Sequence, residues 1–518
     1  MKKMIFFGVI LFNCIAVSHA QDIVKVKETN TIPGGNGYPF NLTSSNNKLF
    51  FTSNDNTNFN SLWVTEGTEA TTQMLGPSTP VKNSVRNLIS YKNKLYFSCD
   101  DGINGQEVWV SDGTVTGTSL FKDVYTGSAG SYPEAFTVAN NKLFFMTYGA
   151  DGIKRLYGSD GTSAGTVLLK NGIDIFNGFT NFAILNNDIY FRSDDGTGAG
   201  YGLWKSNGTA GGTSLVTNVL TPGVSGGNYA VLNNKLYFSG FDYTTGSELW
   251  VTDGSTLGTH MVVNLGKDYG GILYSGSPQN LVVYNSKLYF NGWDSAHGSE
   301  LFVTNGTAAG TQLVKDVIPG TDGSQPQITV YNGLLYIIFS TLQQLWKSDG
   351  TAVGTELVRD ILPYSKFAAI WNNKIYFTNN YDYLVWESDG STAGTGPLKV
   401  QNTNNSVYSY GADYTFTQHN TELYFSGQCA GITGGYELCK LTVGAAAVTT
   451  FTFTGSGNWS NPANWSGGIV PPATLASGYS VIINGQCILD VAIVAQSGSS
   501  ITVKAGKSLL ILGSLTII

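Results

Sequence analysis

The sequence has few of the residues on which most enzymes and nucleic-acid-binding proteins depend. Only 12% of its 518 residues are charged, the net charge is −7, and there are four histidines. So acidic a chain, with so few Lys and Arg, argues against nucleic acid or an anionic membrane as the main partner. No zinc-type pair of histidines occurs, and no nucleophile elbow or phosphate-binding glycine loop stands between a strand and a helix. The sequence therefore predicts neither a catalytic residue nor a metal site, and it favours a protein that is not an enzyme.

Long apolar runs are also scarce, and the one clear run lies at the start of the chain. Residues 4–17 are apolar, follow two lysines and precede the small residues Ser18 and Ala20, which is the pattern of a secretory signal peptide over residues 1–20. No later stretch approaches the roughly 18 apolar residues of a membrane-spanning helix. We expect a protein without a transmembrane segment that is secreted or held on the outer cell surface of a Gram-negative bacterium.

Cysteine is rare, with five residues in all, of which four follow the predicted signal peptide. Four cysteines in so long a chain do not make a disulfide framework, although an oxidising compartment permits single bridges. Cys429 and Cys439 flank a loop between two predicted antiparallel strands, so their side chains can reach disulfide geometry. We expect a bridge between them and make no prediction for Cys99 and Cys487.

Glycine and aromatic residues are plentiful, with 64 glycines and 13% aromatics, which favours turn-rich β structure. An aromatic anchor followed by a turn recurs eight times at spacings of 40–52 residues. The anchors are Trp63, Trp109, Tyr157, Trp204, Trp250, Phe302, Trp346 and Trp386. Each is followed three to five residues later by a turn such as Asp253-Gly254-Ser255, where glycine accepts the positive φ of a tight hairpin. This period is typical of one four-stranded β-propeller blade per repeat.

The number of repeats predicts how the ring closes. Nine segments begin with a hairpin turn and an apolar strand, but the ninth has no outer strand after Tyr436–Leu441. The segment Asp22–Lys27 at the other end of the chain has the pattern of the missing strand. An N-terminal strand that completes the last blade would remove two exposed sheet edges. We therefore predict an all-β fold with one propeller over residues 21–445, with nine blades preferred and eight as the alternative.

The repeated motif resembles a known family. The run Glu248-Leu249-Trp250-Val251-Thr252-Asp253-Gly254 is similar to the repeat of the ELWxxDGT family of bacterial proteins. The resemblance covers roughly the eight anchored repeats and implies a secreted or surface-associated protein. It implies no particular activity or ligand.

The repeat stops near residue 446, and the remainder has a different pattern. Two tryptophans, Trp459 and Trp465, precede Pro471-Pro472, and short apolar runs separated by small-residue turns follow up to residue 518. Short strands of this kind are typical of the rungs of a parallel β-solenoid. The segment resembles the Trp-rich start of β-helical stretches in Gram-negative surface proteins.

Recurring aspartates and tryptophans have structural explanations. An Asp follows the second strand in seven units, at Asp55, Asp101, Asp151, Asp195, Asp242, Asp294 and Asp382. A single active site would need a group of carboxylates that occurs at one place only, whereas these aspartates recur from unit to unit. We therefore interpret them as residues that cap loop turns, with Ca²⁺ binding as the alternative, and we expect no other cofactor. The anchor tryptophans occupy equivalent positions, so we expect them to pack between adjacent blades.

Strand direction predicts where a ligand binds. Within a blade, the first hairpin and the Asp-Gly-Thr turn open on one side of the ring, which we call the hairpin face. The loops between the second and third strands and the blade-to-blade connections open on the other, the loop face, and they vary between units. The candidate ligand-binding residues on the loop face are Asp151, Lys154, Arg155, Tyr269, Tyr274, Trp293, Asp294, His297, Tyr381, Asp382 and Tyr383.

Aromatic planes beside carboxylates suit recognition of a glycan, a peptide or extracellular matrix. We expect a monomeric propeller that acts as a binding module. The alternatives are a hydrolase or lyase that acts on polysaccharide, and a purely structural spacer at the cell surface. Turnover of a bound ligand would distinguish the first alternative from a binding module, and the absence of any ligand would favour the second.

Overall fold

The computed structural model describes most of the chain after residue 20. It describes residues 21–30, 35–55, 60–75, 85–149, 151–173, 182–194, 201–218, 229–266, 275–321, 323–361, 363–379, 383–399, 407–409, 416–429, 435–443, 450–475, 479–496 and 499–517. The predicted signal peptide, residues 1–20, lies outside these ranges. The chain forms two compact units, of which the larger is Asp22–Thr442 and the smaller contains Val443–Ile518.

The larger unit is a β-propeller of nine sheets, which confirms the preferred blade number. Eight blades are antiparallel sheets of four strands in chain order. Blade 1 contains β2 (Phe40–Ser45), β3 (Lys48–Ser53), β4 (Ser61–Thr65) and β5 (Gln73–Met74), and blade 2 contains β6 (Arg86–Tyr91), β7 (Lys94–Asp100), β8 (Gln106–Ser111) and β9 (Ser119–Lys122). Blade 3 contains β10 (Glu134–Ala139), β11 (Lys142–Tyr148), β12 (Lys154–Ser159) and β13 (Val167–Asn171), and blade 4 contains β14 (Ala183–Leu185), β15 (Asp188–Asp194), β16 (Tyr201–Ser206) and β17 (Thr213–Thr217).

Blades 5 to 8 repeat the same order. Blade 5 contains β18 (Tyr229–Leu232), β19 (Lys235–Asp242), β20 (Gly246–Thr252) and β21 (His260–Val263), and blade 6 contains β22 (Gln279–Tyr284), β23 (Lys287–Asp294), β24 (Gly298–Thr304) and β25 (Gln312–Lys315). Blade 7 contains β26 (Pro326–Tyr331), β27 (Leu334–Phe339), β28 (Gln344–Ser348) and β29 (Glu356–Asp360), and blade 8 contains β30 (Ser365–Trp371), β31 (Lys374–Asn379), β32 (Val385–Ser388) and β33 (Gly396–Pro397). The first strands of neighbouring blades contact one another, so they form the inner ring.

Blade 9 combines strands from both ends of the propeller. It contains β34 (Tyr408–Ser409), β35 (Thr417–His419), β36 (Glu422–Gln428), β37 (Glu437–Val443) and, as its outer strand, β1 (Gln21–Lys27), which lies beside β37. This pairing confirms the predicted closure. Val26 of β1 and Leu438 of β37 share one buried cluster with Trp63 of blade 1, so the closing blade also packs against the first. The predicted disulfide between Cys429 and Cys439 is present, with a Cα–Cα distance of 5.9 Å.

The repeated motif has a physical role at each position, and blade 5 illustrates it. Leu249 is fully buried, and Trp250 packs in a cluster with residues of blade 4, as predicted for an inter-blade anchor. The Thr252 hydroxyl accepts a hydrogen bond from the Gly254 amide at 2.9 Å. Gly254 has φ +91°, and a Cβ there would lie 2.4 Å from the Tyr190 hydroxyl of blade 4. The turn needs glycine both for its backbone conformation and for the close approach of the preceding blade.

The motif glutamate holds the blade-to-blade connection on the loop face. The buried carboxylate of Glu248 accepts hydrogen bonds from the backbone amides of Leu265, Gly266 and Gly276, at 2.9–3.0 Å. Glu107, Glu300 and Glu437 do the same for their own connections. A buried carboxylate needs such partners because water cannot solvate it. The repeat therefore builds both the blades and the base of the loop face.

The smaller unit contains three parallel sheets, each of three strands, which is the arrangement expected for solenoid rungs. The three rungs are β38 (Thr450–Phe453), β39 (Ser456–Asn458) and β40 (Thr474–Leu475); β41 (Ser480–Ile483), β42 (Gln486–Leu489) and β43 (Ala492–Ala495); and β44 (Ser500–Val503), β45 (Ser508–Ile511) and β46 (Ser514–Ile517). Two single 3₁₀ turns, Pro462–Asn464 and Ser466–Gly468, interrupt the first rung. Trp459 and Trp465 are buried in the core of this unit.

Candidate functional site: the loop face of the propeller

Exposed tyrosines lie at one side of the ring. Among the described propeller residues, the tyrosines with a large exposed fraction are Tyr132, Tyr148, Tyr243, Tyr364, Tyr383 and Tyr408. Each lies in a loop-face connection or at the loop-face end of a strand, as strand direction requires. The most exposed apolar side chains of the hairpin face are instead aliphatic, Leu257 and Val353, which follow Asp-Gly turns. The two faces therefore differ in surface chemistry.

Two of these tyrosines lie just before the first strand of their blades: Tyr132 is two residues before β10, at φ +47°, and Tyr364 directly precedes β30, at φ +58°. Because first strands form the inner ring, both residues lie beside its loop-face end, with 56% and 67% of their surface exposed. Tyr243 projects from the loop of blade 5 and contacts Phe241 edge-on, with ring centroids 5.3 Å apart. Tyrosine offers a flat apolar plane with a polar tip, which suits contact with ligands.

The predicted site residues of blade 3 interact mainly with each other. Asp151 in the loop before β12 forms an ion pair with Arg155 at the start of β12, and the Asp151 carboxylate also accepts the Ile153 amide at 3.1 Å. The hydrogen bond from Arg155 lowers the pKa of Asp151 to about 2. Lys154 is half-buried opposite Tyr148 in the sheet. The geometry explains Asp151 and Arg155 as a pair that holds the loop.

The predicted residues of blade 6 include another internal pair. Asp294 accepts the backbone amides of Ala296 and His297 at 2.9 and 2.7 Å, and its carboxylate lies 3.0 Å from Nδ1 of His297. This hydrogen bond raises the pKa of His297. Trp293 is half-buried opposite Ser299, at the loop-face end of β23.

Four of the recurring loop aspartates, Asp101, Asp151, Asp242 and Asp294, accept backbone amides of their own turns, and Asp195 and Asp382 lie outside the described residues. Asp101 accepts the amides of Ile103 and Asn104 at 2.9 and 2.7 Å, and Asp242 accepts those of Thr244 and Thr245 at 2.7 and 2.8 Å. These bonds match the predicted capping role. Within the described ranges, no three or more His, Cys, Asp or Glu side chains are grouped so that they could hold a metal ion.

The predicted site residues do not form one cluster. Those that the structure describes belong to blades 3, 6 and 8, which are not neighbours in the ring. Tyr383 of blade 8 is partly exposed at φ +60°. Tyr269, Tyr274, Tyr381 and Asp382 lie outside the described residues.

A polar cavity that the sequence reasoning missed lies between blades 6 and 7 on the loop face. Its volume is about 320 Å³. Five carboxamide side chains and three serines line it: Gln279, Asn280, Asn291, Gln325, Gln327, Ser277, Ser299 and Ser340. No charged side chain is among them. Asn280 also joins the two blades, because its Nδ2 donates to the Pro326 carbonyl at 3.0 Å.

The interface between blades 2 and 3 shows why the cavity exists. There Gln106 fills the position that Ser299 has in blade 6, since the carbonyls of both residues accept the amides of the next connection. The Gln106 side chain is buried, and its Nε2 donates to the Ser98 hydroxyl at 2.8 Å. Tyr132 likewise corresponds to Gln325. A long side chain is thus replaced by a short one at Ser299, and an aromatic ring by a flexible amide at Gln325.

One buried acceptor beside the cavity has no partner. Asn291 is 7% exposed and occupies the position of Ser98 in the blade 2 sheet, directly opposite the first residue of the inner strand. Its Oδ1 makes no hydrogen bond, whereas the Ser98 hydroxyl is bonded to Gln106. Leaving a buried acceptor unpaired costs about 1–3 kcal/mol. The departure at Ser299 could have been found in the sequence only by aligning blades residue by residue.

The buried glutamates that hold the connections have a shifted acidity. Burial raises the pKa of Glu107, one of the connection-holding glutamates, to about 7. All four of these carboxylates are engaged with connection backbone or hydroxyl groups, so they hold loops in place.

Of the helices in the described part of the chain, none has the length and apolar character needed to cross a membrane.

Comparison with known proteins gives little beyond this geometry. No family model matches the chain, and no curated protein matches it significantly. Similar solved structures include a puromycin hydrolase complexed with PGG (10% identity, 67% of this chain and 61% of that chain, TM-score 0.35), puromycin hydrolase (11%, 74% and 60%, 0.35) and a prolyl endopeptidase (11%, 68% and 55%, 0.35). The chain thus spans 55–61% of the length of these structures. Similarity at this level carries no information about ligand or reaction.

Proposed function

We propose that this protein is a secreted or surface-held binding module that engages a glycan, a peptide or extracellular matrix through the loop face of its propeller. The observation that carries the proposal is the segregation of exposed tyrosines to that face. Tyrosine supplies a large, rigid contact area at a low cost in conformational entropy and a hydroxyl that can form hydrogen bonds. The resemblance to the ELWxxDGT repeat and the signal-like N-terminus support a location outside the cell.

The geometry of the ionisable residues supports binding rather than catalysis. Asp151 and Asp294 are engaged by Arg155 and His297 and by their own loop amides, and Glu248 and its equivalents are buried beneath the connections. A glycosidase needs two free carboxyl groups that face each other across the scissile bond. Each of these carboxylates instead caps a loop or holds a connection in place.

The test is binding of the purified protein to arrays of glycans and matrix peptides, with turnover of every bound compound assayed in parallel. A variant that carries Tyr243→Ser and Tyr364→Ser should lose at least about tenfold in affinity, since the loss of a few good contacts has this size. The matched control carries Leu257→Ser and Val353→Ser on the hairpin face and should bind normally. Equal loss in both variants, or binding that only the control abolishes, would refute the loop-face assignment, and product formation would support the hydrolase or lyase alternative.

A further inference from the structure

We propose that the cavity between blades 6 and 7 is a binding site for one neutral sugar unit. Three independent features of the described residues meet there. The wall is polar without being charged, a buried acceptor in the wall has no partner, and between blades 2 and 3 a buried glutamine side chain donates to the residue that corresponds to this acceptor. The inference deepens the proposed function, because the cavity opens on the same loop face, and it rests on that function being ligand binding.

The composition of the wall selects the class of ligand. A carboxamide offers two donors and an acceptor, and a serine hydroxyl can donate and accept. A sugar hydroxyl also does both, so a wall of amides and hydroxyls can satisfy several of them at once. A phosphate or carboxylate would need a cationic partner when it leaves water, and an ammonium would need an anion. The wall has neither, so the cavity favours a neutral polyol over charged ligands.

The absence of apolar residues from the wall separates a sugar from a peptide. Peptide side chains are usually recognised in pockets that are largely apolar. The lining of this cavity contains only Ser, Asn and Gln. Its volume of about 320 Å³ would hold roughly ten water molecules, which is the scale of one sugar ring. Exposed tyrosines elsewhere on the loop face could then contact neighbouring units of a longer glycan.

The unpaired Oδ1 of Asn291 gives the cavity a specific point of attachment. Asn291 borders the cavity, and a hydroxyl bound there can donate to the amide oxygen. In blade 2 the corresponding Ser98 obtains its hydrogen bond from Gln106 within the protein. In blade 6 the shorter Ser299 side chain makes no such bond to Asn291, so the Asn291 Oδ1 atom remains available to accept a hydrogen bond from a ligand. These two positions therefore differ between the interface of blades 2 and 3 and that of blades 6 and 7.

The experiment measures binding of glucose, galactose, mannose and N-acetylglucosamine by ligand-observed NMR, with glucuronic acid as the charged probe. Ser299→Gln should fill the cavity in the way that Gln106 does and should lower affinity for the neutral probe at least about tenfold. Asn291→Ser, which introduces the residue of blade 2, should also weaken binding. The control is Leu257→Ser on the hairpin face, away from the cavity, and it should leave affinity unchanged.

Each outcome bears on the proposal. Binding of a neutral sugar that Ser299→Gln abolishes and Leu257→Ser leaves intact supports it. No binding of any neutral sugar at millimolar concentration, equal binding of glucuronic acid, or binding that Ser299→Gln leaves intact would overturn it. A ligand that is lost in the Tyr243/Tyr364 variant but retained by Ser299→Gln would refute the cavity while leaving the proposed function in place. Thermal melts of all variants show whether a loss of binding reflects unfolding.

Discussion

The propeller and the C-terminal solenoid are both built from repeats, but they bury their terminal units differently. In the ring the last blade receives its outer strand from β1, and its core residues Phe425 and Leu438 are fully buried. In the solenoid the middle rung is equally buried at Val481, but in the third rung 46% of Ile511 is exposed. A ring has no last unit, because every blade has two neighbours. Within the described residues, the third rung is paired with the second rung only, so its inward residues are covered on one side.

The comparison teaches that stability in the two units depends on different contacts. The ring depends on one long-range strand pairing between residues some 400 positions apart, and each rung of the solenoid depends on its sequence neighbours. Long-range closure should make the propeller cooperative, whereas stacked rungs can lose an end unit with little effect on the rest. The following predictions test that difference.

The largest effect should come from removing the closing strand. A chain without residues 21–30 loses Val26 from the cluster between blades 9 and 1 and exposes two sheet edges. We expect the propeller transition to fall by roughly 5–10 °C or more in calorimetry. The matched deletion of residues 499–517, the third rung, should leave that transition unchanged. If both deletions have the same effect on the propeller transition, closure is not what stabilises the ring.

A second pair of variants compares the two cores. Trp250→Ala opens the interface between blades 4 and 5, and Trp459→Ala opens the solenoid core, where the side chain is fully buried. Each should cost about 3–5 kcal/mol. We expect the first to lower only the propeller transition and the second only the solenoid transition. A single transition that moves in both variants would contradict independent stabilisation.

The disulfide of blade 9 should contribute less than these cores. The bridge between Cys429 and Cys439 closes a short loop in the blade that completes the ring, and a loop of this length is worth about 2–3 kcal/mol. The variant in which both residues are Ser should lower the midpoint of the propeller in urea accordingly. The control is Cys487→Ser in the solenoid, where Cys487 is a buried free thiol. This variant should leave the urea midpoint of the propeller unchanged.

The smallest predicted effect is a dependence on pH. Burial raises the pKa of Glu107 to about 7 from a usual value of 4.5, so its contribution is complete below about pH 4.5 and is lost as pH rises through about 7. The propeller should lose on the order of 2 kcal/mol from this group over that interval. Glu107→Gln should make the profile of melting temperature against pH less steep, and a slope of the same sign should remain because burial also raises the pKa of Glu248, Glu300 and Glu437.

The solenoid provides the opposite sign. Hydrogen bonds from Ser460 hold the pKa of Asp490 below its usual value, so the contribution of Asp490 is present at neutral pH and is lost as pH falls into the acid range. The melting temperature of the solenoid should therefore not fall between pH 4.5 and 7. A profile for the propeller transition of Glu107→Gln that is as steep as that of the wild type would contradict the assignment.

Much of the fold was predictable from local pattern. The period of the anchors gives the blades, the incomplete ninth repeat together with Asp22–Lys27 gives the closure, and the spacing of Cys429 and Cys439 gives the bridge. The anchor tryptophans that the structure buries, such as Trp109 and Trp250, also lie where their equivalence predicts. These features depend on short segments that fold in the same way wherever they occur.

The candidate site was less predictable. Asp151 and Asp294 are prominent in the sequence, but hydrogen bonds within their own loops account for both. Trp459 and Trp465, which break the repeat pattern, are core residues of the solenoid. The cavity was missed because its walls come from β22, β23, β24, β26 and the segments beside them, each of which looks like an ordinary repeat.

The sequence by itself determined the all-β class, the nine blades, the closing strand and the change of architecture near residue 446, because turn residues and hydrophobic periodicity act over a few positions. Only the tertiary structure decided where space remains between blades. That depends on whether Ser299 or a longer residue faces Asn291, and on whether Gln325 or a tyrosine stands at the adjoining edge of the next blade. Side-chain volume and hydrogen-bond pairing across an interface are properties of residues brought together by the ring, and no local pattern contains them.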